Sequence, residues 1–251
     1  MIALSLSYLV KQFGALRATD GVSLDIPARE CHALIGPNGA GKSTLIGLMT
    51  GELQPDQGHI LLAGQDVTAW SVDKRARAGL ARSFQITQLI YDMSVLDNVV
   101  LAVQARVGHS FHFIRSVQSD DRLREPALDV LEQIGLIARA HDMAGDLSHG
   151  ERRQLELAIA LAMKPQILLL DEPMAGMGPH ETARMVEILR SLRGHITMVL
   201  VEHDMDVVFA LADRISVLVA GQIMITGTSA EVRADERVRK AYLGESQDVA
   251  S

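Results

Sequence analysis

The residues that most constrain what this chain can fold into are Gly36-Pro37-Asn38-Gly39-Ala40-Gly41-Lys42-Ser43-Thr44, which fit the pattern G-x-x-x-x-G-K-[ST]. The apolar run Cys31 to Ile35 ahead of them reads as a strand, and Leu45, Ile46, Leu48 and Met49 behind them fall at helical spacing between Ser43 and Leu53. Strand, glycine-rich loop and helix in that order predict a phosphate cradle. Glycines let the backbone close around an anion, so that N–H groups and the helix N-terminus face it. Lys42 is then placed to reach the β and γ phosphates, and Ser43 to put its hydroxyl on Mg2+. The alternative is a plain glycine-rich turn.

Strand-like alternation begins at the N-terminus, with Ile2, Leu4 and Leu6 on one parity and Val22, Leu24 and Ile26 following, and Gly58 to Ala63 reads as another strand. From about Ser94 to Met163 helical spacing takes over (Val95, Val99, Ala102, Val103, then Leu128, Leu131, Ile134), with Gly108 to Asp121 expected as a long loop. Strands and helices then alternate again: Ile167 to Leu170, the helix Glu181 to Leu192, Ile196 to Val201 and Ile215 to Ala220. The pattern predicts one α/β domain interrupted by a helical block. With 251 residues, 48% of them hydrophobic, the chain can build its own core. Its longest apolar run, Leu157 to Met163, falls far short of the ~20 residues that span a bilayer. A net charge of -7 argues against nucleic acid as a partner. The single Cys31 forms no intrachain disulfide, and no basic stretch precedes an apolar one at the start, so the expected compartment is the reducing cytosol.

Two carboxylates, Asp171 and Glu172, follow directly on the apolar strand Ile167 to Leu170, where a magnesium site beside a phosphate loop needs them. Neighbouring strand residues point opposite ways, so Asp171 is assigned to the metal's water shell and Glu172 to the attacking water. Alone, such a strand end is as often a turn or helix cap. His203 and Asp204 follow the strand Ile196 to Val201 in the same way, and all three strand ends are expected on one edge of a parallel sheet. With Glu172 present, His203 is not needed as a base.

Ahead of Asp171 stands Leu147-Ser148-His149-Gly150-Glu151, which resembles the Leu-Ser-Gly-Gly-Gln signature of ATP-binding-cassette ATPases. The resemblance runs in order along nearly the whole chain: Phe13 before Gly14, the phosphate loop, Gln85, Ser148 with Gly150, Asp171 with Glu172, and His203. It implies a P-loop cassette with a RecA-like core, an antiparallel β subdomain and an inserted helical subdomain. Applied here, 1–91 and 166–228 form the nucleotide-binding core, 92–165 the helical part with the signature, and 229–251 a C-terminal tail. It also implies ATP and Mg2+ as ligands. Phe13 would stack on adenine; Gly36 to Thr44 would hold the phosphates; Ser43, Gln85 and Asp171 would serve the metal; and Lys42, Gln85, Glu172 and His203 would form the catalytic set. Two cassettes would sandwich two nucleotides, each site pairing one chain's phosphate loop with the other chain's Ser148 and Gly150.

The chain departs from the pattern at His149, in place of the first signature glycine, at Glu151, in place of glutamine, and at Gly178, where many cassettes carry aspartate. These departures leave hydrolysis expected and bear on communication between sites. Ser148 to Glu151 also reads as a capping box ahead of the apolar helix Leu155 to Met163, and both readings can hold. Gly79 to Gln85, the loop near Phe111, Gly176-Met177-Gly178-Pro179 and Ala241 to Glu245 look like the branched-chain and hydrophobic amino-acid uptake group, which includes urea and aromatic-acid relatives. That group implies a cassette on the cytoplasmic face of the membrane, attached to permease chains and reached by a solute-binding protein only indirectly. An exporter subunit shares the chemistry. A soluble cassette for DNA repair or translation would carry a coiled-coil insertion or a tandem cassette, and a regulatory module without hydrolysis would have lost Lys42 or Glu172.

Overall fold

The computed structural model describes residues 1–83, 89–108 and 120–243. Two sheets lie at its centre. The first is antiparallel, in the order β2-β1-β4-β5: β1 (Ile2–Phe13), β2 (Leu16–Pro27), β4 (Gln57–Leu62) and β5 (Gln65–Asp66). The second has the order β10-β9-β3-β8-β7-β6. In it β6 (Leu80–Ser83), β7 (Ile167–Asp171), β8 (Thr197–Val201), β3 (Cys31–Ile35) and β9 (Arg214–Val219) run parallel, and β10 (Gln222–Gly227) closes the edge antiparallel. The α/β expectation is met.

The central strands are apolar runs without alternation because helices or the other sheet cover both faces. In β7, Leu168 and Leu170 enter one core and Ile167 and Leu169 the other, as the period of two requires. The first helix, α1 (Lys42–Thr50), lies in the core shared by the two sheets, and its residues Leu45 to Thr50 are all buried. That enclosure explains why its apolar residues do not form a single stripe. The opposite face of β7 and β8 packs on α3 (Val95–Val107), α4 (Asp121–Gln133), α5 (His149–Ala162) and α6 (Pro179–Leu192). Here α4 shows ordinary amphipathic spacing, with Leu123, Ala127 and Leu131 buried. Among the described residues the regular elements of the stretch 94–163 are all helices, with one isolated Ser94–Met143 bridge. Residues 109–119, most of the expected long loop, lie outside the described residues, as does Gln85.

Three local expectations change. Ile2 is 40% exposed, and only Leu4 and Leu6 keep the expected parity. Beyond them the register of β1 shifts, Tyr8 takes a φ of 52°, and Leu9 becomes the buried residue, so an irregularity breaks the alternation. The helix expected from Leu155 begins at His149, and the one expected from Glu181 begins at Pro179. The segment expected as a C-terminal tail folds, as far as Leu243, into α8 (Ser229–Ala234) and α9 (Glu236–Leu243). Its Val232 and Val238 fill a third core with Ala33 and Ile35 of β3, beside α7 (Met205–Leu211).

Candidate functional site

The loop 36–41 leaves the C-terminal end of β3, the strand between β8 and β9, and its last glycine is the N-cap of α1. Gly41 has a φ of 104°, and a β-carbon there would overlap the Ala18 carbonyl of β2. Backbone conformation and close approach thus both require glycine, and the approach fastens the β1–β2 hairpin to the loop. The Gly221 amide donates to Ala40 O at 2.9 Å and anchors the other side. Lys42 Nζ donates to Gly36 O at 2.6 Å and Pro37 O at 2.9 Å, so the cation lies against the ring of loop carbonyls. Ser43 is exposed at the first turn of α1.

Asp171 closes β7, and Glu172 leaves the ladder with a φ of 49° while its amide still donates to Val201 O at 2.8 Å. The two carboxylates are separated, but not by strand alternation as the sequence reading had it. A left-handed turn at Glu172 parts them, a conformation that costs a side-chain-bearing residue about 1–2 kcal/mol. Asp171 Oδ2 pairs with Arg82 Nη2 at 2.8 Å, and Arg82 Nη1 holds both carboxylate oxygens of Glu52 at 2.6 and 2.7 Å. Burial pushes the Asp171 carboxyl above the usual carboxylate range, and the Arg82 guanidinium opposes that shift. Glu172 stays half exposed. His203, just past β8, is exposed, with Nδ1 3.9 Å from Glu172 Oε1, too far for a hydrogen bond. Asp204 is the N-cap of α7, accepting from the Asp206 and Val207 amides.

The phosphate loop, Asp171, Glu172 and His203 therefore gather at the C-terminal ends of the neighbouring strands β3, β8 and β7, where ligands of such sheets bind. Phe13 is the last residue of β1, at the hairpin turn opposite Leu16. It is 46% exposed, which excludes a core role, and Lys11 Nζ lies 5.6 Å from its ring centroid. Ser148 and Gly150 stand at the N-terminus of α5, where the expected capping box is complete: the Glu151 amide donates to Ser148 Oγ and the Ser148 amide to Glu151 Oε2. Their neighbours there are α6 residues, around a cavity of about 220 Å³.

Three residues escaped the sequence reading. Arg82 and Glu52 escaped because their pairing with Asp171 joins three separate segments. Glu202 is fully buried at the end of β8, accepting from the Met174 amide at 3.0 Å and the His203 amide at 3.2 Å, and burial raises its pKa. It braces the segment behind Glu172 against His203. An acid directly after the apolar run Met198 to Val201 was the available signal. Oxygen donors suited to Mg2+ are present in Ser43 and Asp171. Among the described residues no cluster of three His, Cys, Asp or Glu forms a protein cage.

Residues 19–175 match the family described as ABC transporter, and residues 226–248 match that described as branched-chain amino acid ATP-binding cassette transporter. The high-affinity branched-chain amino acid transport ATP-binding protein LivG of Escherichia coli K12 is 38% identical over 250 residues, 97% of this chain and 98% of that protein. BraF of Pseudomonas aeruginosa, with the same description, is 36% identical over 253 residues, 97% and 98% of the two chains. The lipopolysaccharide export system ATP-binding protein LptB of Haemophilus influenzae is 30% identical over 98% of each chain. Among solved structures, the ADP conformation of MJ1267, an ATP-binding cassette of an ABC transporter, superposes with a TM-score of 0.85 at 31% identity, covering 97% of this chain and 99% of that one. Fold, strand-end cluster and full-length similarity agree: the chain belongs to the ABC transporter family, as one of its ATP-hydrolysing cassettes.

Proposed function

We propose that this chain powers the uptake of branched-chain or related hydrophobic amino acids, on the inner face of a cell membrane and in complex with separate permease chains. The observation that carries this reading is the match of residues 226–248 to the branched-chain family, outside the catalytic core and alongside 38% identity to LivG. The export relative is less similar, at 30%. No described helix is long and apolar enough to cross a membrane, and the pore is assigned to the permease. Its docking surface is the apolar groove of about 250 Å³ between α2 (Val72–Arg77) and α5, lined by Val72, Leu80, Ile159 and Met163 with Glu52 and Arg82. Those two charged residues connect the groove directly to Asp171.

In this reading Phe13 stacks on the adenine, and Gly36, Pro37, Asn38, Gly39, Ala40, Gly41, Lys42, Ser43 and Thr44 hold the phosphates. Ser43, Gln85 and Asp171 hold Mg2+, which offsets charge on the phosphate oxygens. Lys42 neutralises the transferred phosphoryl group, while Glu172 orients the attacking water and takes its proton. His203 and Gln85 complete the catalytic set around the γ-phosphate. Ser148 and Gly150 act on the nucleotide of a second cassette, a reading supported by their place at the N-terminus of α5 beside α6, on none of the strand ends that carry the phosphate loop, Asp171 and His203.

The test is ATP-driven uptake of labelled leucine by the complex purified from membranes and reconstituted in vesicles. Saturable uptake that Glu172→Gln abolishes, with ATP binding retained, is expected. Transport of leucine in the opposite direction, or none with full ATPase activity, would refute the import reading.

A further inference from the structure

One side chain that belongs to neither motif ties the signature to the segment behind Glu172. Glu181, in the first turn of α6, accepts from the Gly178 amide through Oε2 at 3.1 Å and from the Gly150 amide through Oε1 at 3.2 Å. One oxygen caps its own helix, and the other caps the signature helix α5. Gly150 is buried, and a β-carbon there would overlap the Glu181 carboxylate. A side chain at this position would have to push the Glu181 carboxylate aside. Two neighbouring donors of that turn are satisfied locally, the Glu151 amide by Ser148 Oγ at 3.3 Å and the Arg152 amide by Ser148 O at 2.9 Å. The capping box thus leaves the Gly150 amide to an outside acceptor, and Glu181 is that acceptor. A second contact crosses the same joint: the His149 imidazole packs over Gly176, 3.1 Å from where a β-carbon would stand.

We propose that Glu181 is a positioning residue that holds the Gly150 amide until a partner cassette's ATP claims it, so that nucleotide arriving at the signature releases the segment behind this chain's own catalytic carboxylate. The inference rests on the reading that the signature serves a second chain's nucleotide. A carboxylate and a γ-phosphate are both anions drawn to the positive end of α5, and one N–H does not serve both without placing like charges together. The cavity beside the contact gives the displaced carboxylate room, next to Arg184 three residues along α6. Because Glu181 also holds the Gly178 amide, its departure reaches the loop Gly176 to Gly178. Two of the three departures from the family pattern, His149 and Gly178, lie at this joint.

The experiment places Glu181→Gln and Glu181→Asp in the complex purified from membranes, in the Glu172→Gln background that leaves ATP uncleaved. Closure of the cassette pair is titrated with ATP by energy transfer between labels on the two cassettes, and ADP binding is measured in parallel. Glutamine keeps the length but offers one oxygen for two amides; aspartate keeps the charge and the Gly178 cap but is too short for Gly150. The ATP concentration for half-closure is expected to fall about 2- to 5-fold in both, the factor that a charge at a helix terminus corresponds to. ADP binding should remain at the wild-type value. Half-closure unchanged or raised in both variants would overturn the proposal and leave Glu181 a helix cap, as would a melting temperature lowered by more than about ten degrees in both. Ser148→Arg separates the two readings: if it abolishes closure while the Glu181 variants match wild type, only the Glu181 proposal fails. If it leaves closure intact, the reading of the signature in trans fails, and this proposal with it.

Discussion

Glu172 carries a side chain at a φ of 49°, and that conformation can be measured by comparing glycine with alanine at this one position. In an extended strand, alanine is the more stable replacement, since glycine loses about 0.5–1 kcal/mol more in backbone entropy on folding. In the left-handed region the order inverts: the β-carbon costs about 1–2 kcal/mol, which glycine avoids. The difference predicts Glu172→Gly more stable than Glu172→Ala by about 0.5–1 kcal/mol, or about 1–4 °C in melting temperature for a domain of this size. Glu172 is half exposed and makes no hydrogen bond within 3.5 Å through its side chain to His203, so side-chain loss is common to both variants and cancels. Urea and thermal unfolding of the two purified variants, with ATPase activity recorded beside them, give the sign directly. Both should hydrolyse ATP about 10²- to 10⁴-fold more slowly than wild type. An alanine variant equal to or more stable than the glycine variant would refute the argument that a left-handed turn, rather than strand alternation, separates Glu172 from Asp171.

Phe13→Ala should raise the KM for ATP by the ~1–3 kcal/mol of a lost stacking contact while moving the melting temperature little, because the ring is half exposed; a large drop in melting temperature at unchanged KM would count against stacking. Arg82→Ala removes the cation that opposes the upward shift of the Asp171 carboxyl, so that pKa rises further and the acid limb of the kcat/KM profile moves to higher pH. An unmoved limb would show that the Asp171 ionisation does not govern activity. His32 is buried between Glu30 Oε1 at 2.7 Å and Ser216 Oγ at 2.8 Å, and burial depresses its pKa. The unfolded chain therefore takes up a proton below its ordinary value of 6.5 while the folded chain does not, and stability should decline as pH falls below that point, by at most ~1.4 kcal/mol per unit. Urea unfolding between pH 7 and 5.5 should show a shallower decline in His32→Gln, and identical slopes would exclude His32 as the cause.

The sequence by itself determined the features written in contiguous residues. Gly36 to Thr44 carry strand, loop and helix in one stretch, so their chemistry and their local structure are legible together. The same holds for the Ser148–Glu151 capping box and for Asp171 and Glu172 after their apolar strand, because capping and strand termination act over a few residues. Tertiary structure decided whatever depends on which segments meet. The alternation of β1 failed at Tyr8 because pairing irregularities form between strands, and Val232 and Val238 joined a core because β3 and β9 offered an apolar face for them to cover. The Glu52–Arg82–Asp171 chain, the buried Glu202 brace and the Glu181 contact with Gly150 each join residues from separate elements. A carboxylate's role depends on the donors and the burial it meets, and both are set only when distant segments pack.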